Sequence, residues 1–406
     1  MTTSKKSPFL GPLLTAGLAI GIAGTAYVVV HGLIGGQGAC PNDTPPEYIS
    51  GPTPGGGASG LSLSSTGSCS VMVDGSVWCW GWKGKATSRD GARDGAPRAV
   101  PQAGPWTSVS LAEHLRCMVR ADGHAECVGT DGPAVPPLVM EETRRIVLGP
   151  SHHCALRRDR ELWCWGPNLS GQLFDETAND ATTPVRGARE LGPVLDVAVG
   201  LGFTCVVVQD GSVRCRGQTS GGSIAPPRDL PPVVQLVAGK DHLCALSATG
   251  KVTCWGEKDH GELGHNDAGT TNEVALPGPT RELGASGRRT CARQTNGDVW
   301  CWGDSSPPEL PEALRGTTLP ALAMRGATGM AVSPTHGCIV TAERNVRCWG
   351  NNRQKQVSLH LPAYPGGLSF DRCVDWAEPS QSANAPVYWE EGSTRPLAQR
   401  IRPLLL

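Results

Sequence analysis

The sequence predicts an all-β protein whose body closes into a seven-bladed β-propeller with one disulfide hairpin per repeat, preceded by an N-terminal transmembrane helix. Three observations predict it. Fourteen of the 16 cysteines fall into seven pairs of identical spacing. The pairs recur every 45 residues or so, a period typical of propeller blades. The chain of 406 residues carries 53 Gly and 34 Pro against 18% charged residues, which suits many short strands joined by tight turns and suits long helices poorly.

In chain order, Lys5 and Lys6 precede an uncharged run at residues 9–30. That run is long enough for a bilayer-crossing helix, which needs about 20 apolar residues. No Lys or Arg follows until Lys83, so the positive-inside rule keeps the N-terminus in the cytoplasm and carries the body across. Sixteen cysteines also suit an oxidising space. The chain therefore divides into a cytoplasmic N-terminus (1–8), a signal anchor or signal peptide (9–33), a Pro/Gly/Ser linker (34–60), the propeller (61–365) and a C-terminal tail (366–406) placed to close the ring. An uncleaved anchor is the reading adopted. Ordinary cleavage, and a lipoprotein signal ending at Gln37-Gly38-Ala39-Cys40, are its rivals, although the latter lacks an aliphatic residue at position 37.

The cysteine pairs are Cys69 with Cys79, Cys117 with Cys127, Cys154 with Cys164, Cys205 with Cys215, Cys244 with Cys254, Cys291 with Cys301, and Cys338 with Cys348. Residues opposed across an antiparallel hairpin have numbers of constant sum, and an even sum demands an odd loop. Cys69 and Cys79 thus centre on Asp74 and leave a three-residue loop, Val73-Asp74-Gly75, a type I turn whose third residue needs positive φ. Asp122-Gly123, Asp210-Gly211, Thr249-Gly250 and Asn296-Gly297 repeat it. Asp159-Arg160 and Glu343-Arg344 break the pattern, so those turns need another geometry or accept strain. Opposed Cα atoms lie about 4.5–5.5 Å apart, inside the disulfide window, so each pair can close within its own hairpin. Each bridge is worth about 3 kcal/mol in the chain-entropy model. Zinc is excluded by the absence of short C-x2-4-C spacing.

Trp80, Trp165, Trp255, Trp302 and Trp349 follow the second cysteine of a pair, and Trp78, Trp163 and Trp300 precede it. Neighbours in a strand point to the face opposite the cysteine. Stacked blades would then lay the indoles of one sheet against the disulfide face of another, which makes these tryptophans structural. Cys40 and Cys373 flank the ring and are read as a terminal bridge, with lipidation of Cys40 and an unpaired or intermolecular Cys373 as the alternative.

The stretch Ser151-His152-His153-Cys154-Ala155-Leu156, continuing through Trp163-Cys164-Trp165-Gly166-Pro167-Asn168 to Gly171-Gln172-Leu173, resembles a repeat of the RCC1 (regulator of chromosome condensation) family. Gly239-Lys240-Asp241-His242-Leu243-Cys244-Ala245-Leu246, with Cys254-Trp255-Gly256 and Gly261-Glu262-Leu263-Gly264, is similar. Other copies keep only the cysteine pair and part of Cys-Trp-Gly. The resemblance covers about residues 50–365 and points to bacterial exported RCC1-like propellers. It implies seven four-stranded sheets, and a role in binding proteins through loops, including inhibition of an enzyme partner. The nucleotide-exchange and chromatin roles of the founding member do not transfer: net charge is -1 and pI about 6.8, which argues against nucleic acid.

Catalysis finds no support in the residues. His114, His153, His242 and His336 stand one to three positions before a first cysteine, a repeated place that reads as packing. Asp74, Asp122 and Asp210 each start a turn. No nucleophile elbow, phosphate loop or HExxH occurs, and no cofactor or metal is implied. The expectation is a monomeric, membrane-anchored protein-binding scaffold outside the cytoplasm with an unidentified protein partner. A carbohydrate receptor and an enzyme with a site at the axial mouth are the alternatives. The inserts at 82–104, 167–192 and 257–284 are the candidate binding loops, and Trp82, outside the repeated tryptophan positions, reads first as a core residue, with a partner anchor as the alternative.

Overall fold

A computed structural model describes residues 57–81, 98–102, 104–130, 137–177, 179–221, 224–265, 272–303, 319–350 and 370–372, all inside one compact unit spanning 46–406. The anchor at 9–33, Cys40, Trp82 and Cys373 lie outside the described residues. Among the described residues no helix is long and apolar enough to cross a membrane, and one 3-10 turn, Arg189–Leu191, is the sole helical element.

Seven sheets form in sequence order. Each begins with an inner strand: Ala58–Leu63, Trp106–Leu111, Thr143–Leu148, Val194–Val199, Val233–Ala238, Thr280–Ser286 and Ala327–Val332. A second strand carries the first cysteine, and a third carries its mate. The first inner strand begins at Ala58, so it takes up the end of the stretch read as linker. Inner strands of successive blades neighbour one another, and that of blade 7 lies against that of blade 1, so the sheets surround a common axis and the ring closes.

All seven disulfides form within their hairpins, opposed in register, as Cys69 is to Cys79 and Cys338 to Cys348. Their Cα atoms are 4.0–4.1 Å apart, closer than the 4.5–5.5 Å expected. Counting outward from the turn explains this. Met72 N–H bonds Ser76 O, which makes Cys69 and Cys79 a non-hydrogen-bonded pair, the site where opposed residues approach most closely.

The two turns without glycine adopt the same geometry as the rest. Arg160 and Arg344 take φ of 67° and 65°, beside 79° at Gly75 and 80° at Gly211. The strained option is therefore the one realised. At Arg344 the neighbouring blade compensates: a Cβ on Gly57 would lie 2.5 Å from the Arg344 Cβ, so glycine stands opposite the side chain there. At Gly75 the arrangement is reversed, because a Cβ there would strike Pro105 at 2.5 Å.

The implied four-stranded sheets are found in five blades. The fourth strands of blades 1, 2, 3 and 6 are Arg98–Ala99, Leu138–Met140, Ala181–Gly187 and Ala321–Met324. In blade 7 the backbone of Phe370–Arg372 takes that place, running parallel to Val346–Gly350. Blades 4 and 5 have three strands among the described residues. Blade 5 keeps a remnant, the isolated bridge of Thr253 to Glu273. After blade 4 the chain carries Pro226, Pro227, Pro231 and Pro232, which lack the N–H that a ladder needs.

The faces sort as the spacing requires, with a definite direction: the indole of each blade covers the disulfide of the preceding one. Trp80 packs with Cys338 and Cys348, Trp165 with Cys117 and Cys127, and Trp255 with Cys205 and Cys215. Trp302 packs with Cys244 and Cys254, and Trp349 with Cys291 and Cys301. Blades 2 and 4 carry Val128 and Arg216 at that position instead.

Candidate functional site

The site is the ring itself, its rigid seams and what they display. One seam is entirely backbone. The carbonyl of each turn's third residue accepts from the N–H that opens the next blade: Gly75 O from Trp106, Gly123 O from Thr143, Arg160 O from Val194, Gly211 O from Val233, Gly250 O from Thr280, Gly297 O from Ala327 and Arg344 O from Ala58, all at 2.8–3.0 Å. The last bond closes the circle.

A second seam uses side chains. His152 Nε2 pairs with Thr204 Oγ1 at 2.7 Å, His242 Nε2 with Thr290 Oγ1 at 2.7 Å, and His336 Nε2 with Ser68 Oγ at 2.8 Å. Each histidine stands two residues before the first cysteine of its blade, and each hydroxyl one residue before that of the next. Blades 3 and 4, 5 and 6, and 7 and 1 are thereby joined. Burial depresses these histidines to a pKa of about 3, about 4 and about 3 respectively, so they are neutral at physiological pH. Of the four sequence candidates, His242 and His336 occupy this place. His153 does not, because the residue in register is His152; His153 meets Trp165 edge to face in its own blade, and His114 is exposed.

Polar links also join the inner strands. Ser62 Oγ accepts from Leu111 N–H at 2.9 Å, Ser110 Oγ donates to Ile146 O at 2.7 Å, and Arg145 pairs with Asp196 at 2.5 Å. Asp196 also accepts from Leu236 N–H at 2.9 Å, and Gln235 bonds both backbone groups of Leu283. Every inner strand bulges at its second residue: Ser59, Thr107, Arg144, Leu195, Val234, Arg281 and Thr328. A bulge leaves one residue out of the ladder. All but Leu195 are exposed.

The turn aspartates do turn work. Asp74 accepts from Ser76 N–H, Asp122 from His124 N–H and Asp210 from Ser212 N–H, at 2.8–2.9 Å. Among the described residues no group of three or more His, Cys, Asp or Glu is arranged to hold a metal ion.

The long connections leave from the end opposite these turns, and two are latched onto the seams. In the 167–192 insert Asn168 is buried, donates to Asp175 at 2.5 Å and accepts from Leu173 N–H at 2.9 Å. Leu173 and Phe174 enter the core between blades 3 and 4. The turn so held presents Leu169 with 89% of its surface exposed. In the 257–284 insert Glu262 accepts from His260 N–H at 2.8 Å, and Trp302 Nε1 donates to Glu262 O at 2.9 Å. Burial raises the Glu262 carboxyl above its usual pKa.

The seams were hidden from a reading of single repeats, since a histidine in one copy meets a hydroxyl in the next. Aligning residues −2 and −1 from each first cysteine would have revealed them. Leu169 carried no signal beyond a variable position inside the repeat pattern.

A closed ring of seven disulfide-stapled sheets with indoles between them defines a β-propeller built of sequence repeats. Two stretches of those repeats, residues 144–172 and 233–262, match the family described as the regulator of chromosome condensation (RCC1) repeat. The fold is similar to that of human WBSCR16, with TM-score 0.56 at 14% identity over 68% of this chain and 85% of that one. It is also similar to the ectodomain of the receptor kinase CR4 from Physcomitrella patens, with TM-score 0.51 at 20% identity over 73% and 74%. At these identities the likeness establishes the fold. No curated protein matches the chain in sequence.

Proposed function

We propose that this protein is a non-enzymatic scaffold that binds another protein outside the cytoplasm, held to a membrane by residues 9–33, with inhibition of the bound partner among the forms such binding takes. Seven disulfides support an oxidising location, since reducing compartments keep thiols free.

The observation that carries the reading is Leu169. Leu169 is 89% exposed, and the flanking turn is fixed by buried Asn168 and Leu173. Rigid presentation of an apolar side chain lowers the entropy lost on binding, which is how a partner anchor works. Surface cross-linking on intact cells followed by affinity recovery tests it. One protein partner should be recovered, and Leu169→Asp should reduce recovery at least tenfold at unchanged thermal stability. Equal recovery with Leu169→Asp removes the anchor. Retention on polysaccharide with no protein partner, or turnover abolished by changes at Arg144 or Arg281 on the inner rim, overturns the scaffold reading.

A further inference from the structure

Blade 4 ends differently from every other blade. Its third strand, Val213–Gly217, has no fourth strand beside it among the described residues. The alternate pattern that starts with Val208 N–H bonding Ser212 O turns the N–H and C=O of Val213 and Cys215 away from the second strand. The equivalent groups are occupied elsewhere. In blade 1, Val77 O accepts from Val100 N–H; in blade 5, Val252 O accepts from Val274 N–H and Cys254 N–H donates to Asn272 O. In blade 4 the Val213 carbonyl is met by the guanidinium of the adjacent Arg214, at 3.1 Å.

Burial gives an independent sign of the same vacancy. Of the fourteen bridged half-cystines, thirteen are buried and Cys215 alone is not. Arg214 and Arg216 on either side of half-buried Cys215 are exposed, where the counterparts of this third strand are largely covered.

We propose that the Val213–Gly217 edge is a docking site for an extended segment of a partner protein, which adds to blade 4 as its fourth strand. This deepens the scaffold reading and rests on it. An exposed edge is a template for strand addition, with the backbone supplying affinity and alternate side chains supplying choice. The chain uses the same device on itself: Phe370–Arg372, from outside the repeats, lies parallel along the third strand of blade 7.

The side chains define the chemistry. Arg214 and Arg216, two residues apart, share one face. Arg216 pairs with Glu190 at 3.2 Å and lies over Phe174, whereas Arg214 has no carboxylate within ion-pair distance among the described residues. The other face offers the half-covered sulfur of Cys215. The incoming strand is therefore acidic at alternate positions, with small apolar residues between them that lie over the disulfide.

The test uses the full chain and two blocked synthetic peptides about eight residues long, one alternating Val and Glu, the other Val and Lys. Amide hydrogen exchange is the readout. In the free protein the Cys215 amide should exchange at least tenfold faster than that of Cys254, whose N–H is bonded. Saturating Val/Glu peptide should slow Cys215 at least tenfold, and Val/Lys peptide should not. Arg214→Glu should weaken the Val/Glu peptide at least tenfold; should that variant not fold, wild-type protein in high salt serves, with the same loss. A Cys215 amide already protected in the free chain overturns the proposal: protection lost on removing residues 373–406 means the chain covers its own edge, and protection lost on dilution means a second copy does. No binding of the Val/Glu peptide, or binding with protection only elsewhere, also overturns it. The scaffold reading fails separately, by recovery of no partner while the edge still takes the peptide.

Discussion

The seam histidines make stability depend on pH in a calculable way. His336 is fully buried, bonds Ser68 of blade 1, and is held at a pKa of about 3 by burial, with the Arg289 charge adding to the effect. In the unfolded chain its pKa is near 6.5. Below that value the unfolded state takes up a proton that the folded state refuses, so stability present above pH 6.5 is lost as pH falls towards 3. At pH 5 the chain is 1.5 units below the unfolded value, which at 1.36 kcal/mol per unit costs about 2 kcal/mol for this residue. His152 and His242 act in the same direction with pKa values of about 3 and about 4. Urea unfolding with disulfides intact, at pH 7 and pH 5, measures the loss. His336→Gln keeps a group able to reach the Ser68 hydroxyl but cannot titrate, so its loss between the two pH values should be smaller than that of wild type by about 2 kcal/mol. Equal losses in the two proteins would show that His336 is not held neutral in this seam and would refute the reasoning.

Four further outcomes follow from the seams and turns. Arg160→Gly should raise stability by about 0.5–1 kcal/mol, because an exposed arginine at φ 67° is replaced by the residue that tolerates it; the urea midpoint reads this. Gly75→Ala should lower stability by more than about 2 kcal/mol, since positive φ and a 2.5 Å approach to Pro105 penalise the new methyl together. Trp302→Ala should cost about 3–5 kcal/mol, as it uncovers the Cys244–Cys254 face and frees Glu262 O; calorimetry would show it, and proteolysis near Glu262 should accelerate. His124 has the opposite sign to the seam histidines. Its ring nitrogens bond Glu141 at 2.8 Å and Glu126 at 3.1 Å, which raises its pKa. Stability from this clasp is present below pH 6.5 and lost as pH rises through the folded value, so amides of the Leu138–Met140 strand should lose protection over that range in wild type and not in Glu141→Gln.

Much of this protein is legible in one dimension because its repeats are local. Ten positions between cysteines dictate the hairpin, its odd loop and its bridge, and the indoles beside Cys79, Cys164 and Cys301 must face away from the sulfur. Those relations need only the period of a strand. The turns at Arg160 and Arg344 were harder, since a residue that strains a turn can be held there by the ladder on both sides and, at Arg344, by the missing side chain of Gly57 some 290 positions away. The features proposed for binding were least legible. The exposure of Leu169 depends on Asn168 and Leu173 being drawn into a seam, and the lack of a fourth strand beside Val213–Gly217 among the described residues depends on where the proline-rich segment after it goes.

Spacing and alternation by themselves determined the all-β class, the seven hairpins, their disulfides and the face each tryptophan takes, because all of these are set by neighbours within about a dozen residues. Only the tertiary structure decided which blade each indole covers, which histidine meets which hydroxyl, and which third strand has no fourth beside it among the described residues. Those outcomes depend on closure of the ring, which brings Arg344 to Ala58 and His336 to Ser68, and no local rule contains that distance.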